Sequence, residues 1–375
     1  MASVGGAFDR PGSAGGRTVS ALTAGAVGDG RTDDTAALQR ALDALTPGDV
    51  LVLPAGSTFA HADVLEVDVP GVTITGGGIL LATDEERSAV RLRADRVTVT
   101  DLVLATAATT RRWSAPQQTG LWLDGHRDAV VQDVTVRDAP SAGVFVQGAQ
   151  HFRLTRVTVT GTRADGIHMT GGARYGLVEQ PLTEDTGDDG IAVVSYRDDP
   201  ARSGDIDVES PRVLGTTGGR GLSVVGGDHV RFTDVEVRDT AAAGIYVACE
   251  RAEFDTWVPS SVSVTGGSVS GANHDPAIDH GALLVYNGQQ TEPLRDVAVA
   301  DLRIAGTRAS ASRQVGLIAD DDGPISGIVL SGIAITGPGP AQLLASSTDQ
   351  LEYRATGWTL DGRPVADRSV RHGVR

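Results

Sequence analysis

One pattern limits this chain more than any other: a glycine followed by an apolar residue, any residue and another apolar residue, returning at short intervals. It reads GLWL at Gly120, GVFV at Gly143, GIHM at Gly166, GIAV at Gly190, GLSV at Gly221, GIYV at Gly244, GALLV at Gly281 and GLIA at Gly316. The steps are 23, 23, 24, 31, 23, 37 and 35 residues. Self-similarity at such a period marks a stack of repeated units. Between the glycines lie short Val, Ile and Thr runs with period-two alternation, such as DRVTVTDLVL and HVRFTDVEVRD, so each unit holds several short strands. The pattern predicts an all-β fold, a parallel β-solenoid whose coils stack roughly 4.8 Å apart. Leucine-rich repeats share the period but need a Leu and Asn/Cys pattern that is absent. One elongated domain, residues 18–347, replaces the two or three compact domains that 375 residues would suggest.

A solenoid exposes strand edges at its ends and must cap them. Residues 33–45 (DDTAALQRALDAL) place Ala37, Leu38, Ala41, Leu42 and Leu45 at helical spacing, with Thr32 or Asp33 as N-cap and Pro47-Gly48 as the stop. This helix is expected to cap the first coil. Residues 1–17 are expected to be flexible and 348–375 to form an irregular closing segment.

Alternate residues of a strand point to opposite faces. Positions one and three after each glycine are apolar, as in Leu121/Leu123 and Ile167/Met169, and are expected in the core. Position two then points outward and reads Trp122, Phe145, His168, Ala192, Ser223, Tyr246. In a chain with 4% aromatics, that column predicts a sugar-stacking groove.

The residues just before the glycines include Asp165, Asp189, Arg220 and His280. Asp165 and Asp189 fall on adjacent coils with Asp188 beside them and Arg220 on the next coil. Three carboxylates so close cannot all ionise freely, so one pKa should rise, the split that acid and base work at a glycosidic bond requires. Asp-Gly is also an ordinary turn sequence; three such Asp at the lip of an aromatic groove favour chemistry.

These segments resemble a known family. TAGAVGDGRTDDTAALQRALDAL (23–45) is similar to the N-terminal signature of the pectate-lyase-like superfamily of right-handed β-helices. RADGIH (163–168), TGDDGIAVVSY (186–196) and GGRGLSVVGG (218–227) resemble the successive active-site motifs of polygalacturonase-like, family 28 glycoside hydrolases. The resemblance covers roughly residues 18–340 and implies a right-handed parallel β-helix. It also implies that Asp188 is the general acid, that Asp165 and Asp189 activate water, and that the anomeric centre is inverted. Two motifs depart. Arg220 stands where the family has His, and Tyr246 and Ala248 stand where it has the Arg and Lys that grip a uronate in pectin-cleaving relatives. Arg220 is then either a substrate contact or a salt bridge that orients Asp189. His168 and His280 are further substrate-binding candidates.

The longer steps place loops. YRDDPARSG (196–204) is expected to wall the groove, with Tyr196 or Arg197 touching substrate; GANHDPAIDHG (271–281) is a second long turn. Asp198-Asp199 and Asp320-Asp321-Asp322 could hold Ca²⁺ but suit solvated turns better. No metal or cofactor is expected at the site. The basic residues are all Arg, with no Lys, which excludes Schiff-base chemistry and a phosphate-loop lysine. Cys249 stands alone, so it forms no intrachain disulfide. A net charge of −16 argues against nucleic acid or an anionic membrane as partner, and no run approaches the roughly 18 apolar residues of a membrane span. A monomer acting on carbohydrate is expected. The first residues have neither a basic nor an apolar signal region, so no signal peptide is expected in the sequence as it stands, and localisation stays open.

Three functions compete. The first is a glycoside hydrolase with stacking subsites at Trp122, Phe145 and Tyr246. The second is a uronate lyase, epimerase or small-molecule isomerase using Arg220, Tyr246 and His168. The third is a non-catalytic carbohydrate-binding β-helix.

Overall fold

A computed structural model of the chain describes residues 15–251, 254–289, 291–320 and 322–371. The fold is the expected right-handed parallel β-helix. Eleven strands, from Leu65–Val67 to Leu344–Ser346, pair in parallel in coil order. The remaining faces belong to one 24-stranded sheet, because strands such as Thr98–Thr106 and Val130–Arg137 continue through a corner. That corner has a simple local cause. Asp101, Asp133, Arg156, Gln180, Ser210 and Asp234 occupy the same place in successive coils, each with φ of 50° to 54°. A left-handed residue there turns the chain sharply, and Asp tolerates the conformation better than most residues.

The ladder glycines have a different cause. None of Gly120, Gly143, Gly166, Gly190, Gly221 or Gly244 has positive φ. They are glycines because nothing else fits: a Cβ on Gly120 would lie 2.3 Å from Val136 Cγ1, and one on Gly190 would lie 2.5 Å from Val213 Cγ1 and 2.8 Å from the Gly221 carbonyl oxygen. Gly190→Ala should therefore lower the unfolding free energy by roughly 1–3 kcal/mol through overpacking. An unchanged denaturant melt would show that the ladder tolerates a methyl group.

The apolar positions flanking the ladder are buried as expected, including Leu121, Leu123, Ile167, Met169, Ile191 and Val193. The ladder does not continue past Gly244. Ile245 pairs with Leu283, and Leu283 with Val315, so Ala282 takes the next ladder place, Gly281 is one residue early and Gly316 two residues late. The apolar alternation, not glycine, carries the register there. His280 therefore lies outside the column that holds Asp165 and Asp189.

The capping helix runs Thr35–Asp43 and buries Ala37, Leu38, Ala41 and Leu42; Leu45 is buried beyond its end. It starts later than 33, because Asp29–Asp33 is a strand. The N-cap is Asp34, and its carboxylate accepts the Val27 and Gly28 N–H groups at 2.6 and 2.9 Å instead of capping the helix. Gln39 bonds the backbone of Glu66 in both directions, at 3.0 and 2.9 Å, and so seats the helix on the first strand of the eleven-stranded sheet. At the far end the parallel ladder runs past 347, through Leu351–Thr356 and Thr359–Leu360. The chain then folds back as antiparallel strands Arg363–Pro364 and Arg368–Val370 and covers the last edge. Of the segment expected to be flexible, residues 1–14 lie outside the described residues; Arg17 is tied to Asp49 by its N–H at 2.6 Å and by its guanidinium.

Candidate active site

The stacking of coils brings the three aspartates together. The Gly166 N–H donates to the Asp189 carbonyl and the Gly190 N–H to the Arg220 carbonyl, both at 2.9 Å, so Asp165, Asp189 and Arg220 rise in one column. One carboxylate oxygen from each of Asp165, Asp188 and Asp189 lies within 4.8 Å of the others. Asp165 accepts the Asp189 N–H at 2.9 Å on one oxygen and contacts His168 Nδ1 with the other. Asp189 accepts the Arg220 N–H at 2.7 Å and the Ser223 hydroxyl at 2.5 Å. Asp188 pairs with the Arg112 guanidinium at 2.7 Å.

These contacts divide the roles. Burial, then the charges of Asp189 and Asp165, push Asp188 up to about 7, against the pull of Arg112. Burial disfavours a charged His168, but Asp165 in contact, helped by Asp189 and Asp188, carries the net shift upward. Arg220 follows the same logic. Burial opposes its charge, and Asp189, Tyr246 and Glu250 more than offset it. Its guanidinium bridges Asp189 at 3.4 Å and Glu250, and lies 4.3 Å from the Tyr246 ring centroid. Tyr246 donates to Glu250 at 3.1 Å and stacks on His280 with centroids 5.4 Å apart. Thus His280, although out of the column, does reach the site through its ring. Burial, then Arg220 and Arg313, push it down to about 4.

Three cavities follow one another along the groove. One of about 320 Å³ is lined by Phe145, His168, Tyr196, Arg112, Trp113 and Phe254. One of about 120 Å³ lies over the three aspartates. One of about 700 Å³ begins at Arg220 and Tyr246. The outward column is real, with Trp122, Phe145, His168, Ala192, Ser223 and Tyr246 paired in register. Much of it is nevertheless covered, which corrects the open stacking groove expected from sequence. Trp122 is 6% exposed and sits under the Arg91 guanidinium, 4.0 Å from its centroid, lining none of the three cavities. Tyr196 does wall the groove, and burial, then Asp165 and Asp199, push its hydroxyl up to about 12. Arg197 turns away to Asp255, Glu292 and the Trp257 ring. Asp199 accepts the Tyr196 N–H at 2.9 Å, an ordinary turn contact, and Asp321 lies outside the described residues.

Residues 18–264 match the family model described as rhamnogalacturonase A/epimerase, pectate lyase-like. The chain belongs to this family. Solved structures similar to this pectate-lyase-like chain include an exopolygalacturonase from Thermotoga maritima, 15% identical, covering 94% of each chain with a TM-score of 0.76. An endo-xylogalacturonan hydrolase from Aspergillus tubingensis is 17% identical, over 86% of this chain and 98% of that one, with a TM-score of 0.59. The A-module of an Azotobacter vinelandii mannuronan C-5 epimerase is 14% identical, over 91% and 98%, with a TM-score of 0.58. No curated protein sequence matches the chain.

Four contributors to this pectate-lyase-like site escape sequence reasoning. Arg112 arrives on the 107–115 connection, which is tied down by Arg163 to the Thr109 carbonyl at 2.8 Å and by the Trp113 N–H to the Pro140 carbonyl at 2.9 Å. Glu250 and Phe254 come from the loop after the strand Ile245–Cys249. None of these three lies at a ladder position. Ser223 does lie on the ladder, and its register one coil above Ala192 was the available signal. The mutual approach of the three carboxylates could bridge a cation, yet each already faces a protein donor, so a divalent ion would have to displace Arg112, His168 or Ser223.

Proposed function

We propose that the chain is a glycoside hydrolase in which Asp188 is the general acid and Asp165 and Asp189 hold and activate the water, acting as a monomer on carbohydrate. One arrangement carries this: a half-buried Asp188, pushed up to about 7, beside two buried carboxylates that accept hydrogen bonds. That asymmetry lets one carboxyl give a proton to the glycosidic oxygen while its neighbours take one from water. His168 and Ser223 orient the two acceptors. The short spacing taken alone would suit direct attack by a carboxylate, since inverting pairs usually stand roughly 6.5–9.5 Å apart. The protein donors on Asp165 and Asp189 favour paired acceptors of one water, and inversion is the expected course. The neighbouring exopolygalacturonase and xylogalacturonan hydrolase support hydrolysis as the reaction class.

The lyase or epimerase reading draws support from the epimerase neighbour. Against it, Arg220 is occupied by Asp189 and Glu250, and the Tyr246 hydroxyl donates a hydrogen bond to Glu250 and, its pKa raised by burial, keeps its proton, leaving neither free to act as base on a Cα proton. The experiment is incubation with a panel of glycans and glycosides. Reducing ends of inverted configuration by proton NMR support the proposal. An unsaturated uronate product transfers the chain to the lyases.

Arg112 supplies a pH test. Because Asp188 must hold its proton, turnover should fall as pH rises through about 7. Arg112 opposes that raised pKa, so Arg112→Ala should move the alkaline limb of the kcat/KM profile to higher pH. A limb that stays in place or moves down would remove Asp188 as the group that titrates.

A further inference from the structure

Past the aspartates, the outward face of the strands changes character. Ala192, Val194, Val225, Tyr246, Ala248 and Leu284 form a hydrophobic cluster separate from the solenoid core, with Tyr196, Tyr286 and Ile318 packed against it. These six are themselves buried, and Tyr196, Tyr286 and Ile318 are left partly exposed, so the apolar surface open to a ligand is theirs and the wall that Leu284 adds. Leu284, Tyr286 and Ile318 line the cavity of about 700 Å³, which is continuous with the catalytic pocket through their shared Arg220, Glu250 and Phe254. Phe254, 54% exposed, stands at its edge. Leu284 and Ile318 offer nothing to a sugar hydroxyl, and a hydroxyl desolvated against them loses hydrogen bonds to water without replacement.

The walls carry charge of the sign opposite to the chain. Arg220, Arg251 and Arg313 line it; Arg220 is paired with Asp189 and Glu250 and Arg313 with Asp279, while Arg251 has no ion-pair partner among the described residues, in a chain of net charge −16. His280, pushed down to about 4, is neutral near pH 7 and adds no positive charge. Arg313 pairs with Asp279 at 3.1 Å, while the buried Nε atoms of Arg220 and Arg313 and Nδ1 of His280 have no hydrogen-bond partner. The volume lies in the range of roughly 300–1,000 Å³ typical of sites for drug-sized ligands.

We propose that this cavity receives the leaving group of the reaction and that this group is an apolar aglycone, aromatic or acyl, carrying an anionic substituent. The substrate is then a glycoconjugate rather than an unsubstituted polysaccharide. The inference rests on the hydrolase reading for the departure of that group. The glycosidic C–O bond breaks, the Asp188 proton passes to the aglycone oxygen, the water oxygen bonds the anomeric carbon, and its proton passes to Asp165 or Asp189. The occupancy of the cavity needs no turnover.

The test titrates the full chain with anilinonaphthalene sulfonate, an aromatic anion, following fluorescence and calorimetry. One saturable site is expected, weakened at least tenfold by Leu284→Asn, by Ile318→Asn and by Arg313→Gln, and unchanged by Asp188→Asn. Circular dichroism checks each variant; Ile318, only partly buried, keeps the test alive if Leu284→Asn fails to fold. Trigalacturonate should not displace the probe, and naphthyl glycosides should show a KM at least tenfold below that of the methyl glycosides of the same sugars. Probe binding indifferent to Leu284 and Ile318, displacement by trigalacturonate, or equal KM values would overturn the assignment. Probe binding at this cavity with no glycoside cleaved would sink the hydrolase reading and leave the cavity standing; glycan cleavage with probe binding indifferent to these residues would do the reverse.

Discussion

Asp188→Asn should lower turnover on any accepted glycoside by roughly 10²–10⁴-fold, the range a positioned proton donor contributes, while leaving a folded β-helix. Asn matches Asp in shape but has no proton to give. Its effect on stability has the opposite sign. The raised pKa of Asp188 means that the folded chain binds a proton that the unfolded chain, with its ordinary value of 3.8, has released. The stability this contributes is complete below about 4 and is lost as pH rises through about 7. Above that, Asp188 adds a charge beside Asp165 and Asp189, which oppose it, and Asn does not. The variant should therefore melt at or above the wild-type temperature at pH 8 while being nearly inactive. Retained turnover would remove Asp188 from its role, and a lower melt at pH 8 would mean that the Arg112 pair outweighs the repulsion.

The largest loss of stability is expected at Arg220→Ala. The guanidinium lies between the carboxylates of Asp189 and Glu250, which are largely buried and have no other cation within ion-pair distance among the described residues. Removing it leaves two desolvated acids and strips the cover from Tyr246. Breaking a buried pair in this way costs roughly 3–5 kcal/mol, readable by urea denaturation at neutral pH. Arg220→Lys should recover only part, because a compact ammonium cannot serve both acids and the ring as a planar fork does. A loss below about 1 kcal/mol for Arg220→Ala would show that the two acids relax into solvent, and Arg220 would then be free to meet substrate.

Of the two roles that the sequence left open for Arg220, the contacts with Asp189 and Glu250 match the salt bridge, and the Arg220→Ala measurement decides between them. What periodicity reaches was legible: the inward pairs such as Ile167/Met169, the outward column through His168, and the stacking of Asp165 beneath Asp189. Glycine itself was a less reliable marker. It follows close approach in six consecutive coils, then gives way to Ala282, and an alignment on Gly281 and Gly316 misplaced His280. Arg112, Glu250 and Phe254 were out of reach because loop residues meet the groove at no fixed period. Trp122 misled for a related reason. Pointing outward is a property of the strand, whereas being exposed depends on what a neighbouring coil lays across it, here Arg91.

The left-handed corners bear on the acidity of the molecule. Thirteen of the positive-φ positions among the described residues are Asp, in a chain whose net charge is −16. Thirteen of the 48 acidic residues thus sit where the chain turns, whatever the protein meets. Part of the low isoelectric point is a by-product of scaffold geometry, and a groove lined by arginines can sit in an acidic protein without contradiction. Exchanging corner Asp for Gly or Asn would shift electrophoretic mobility and leave ligand selectivity where it was.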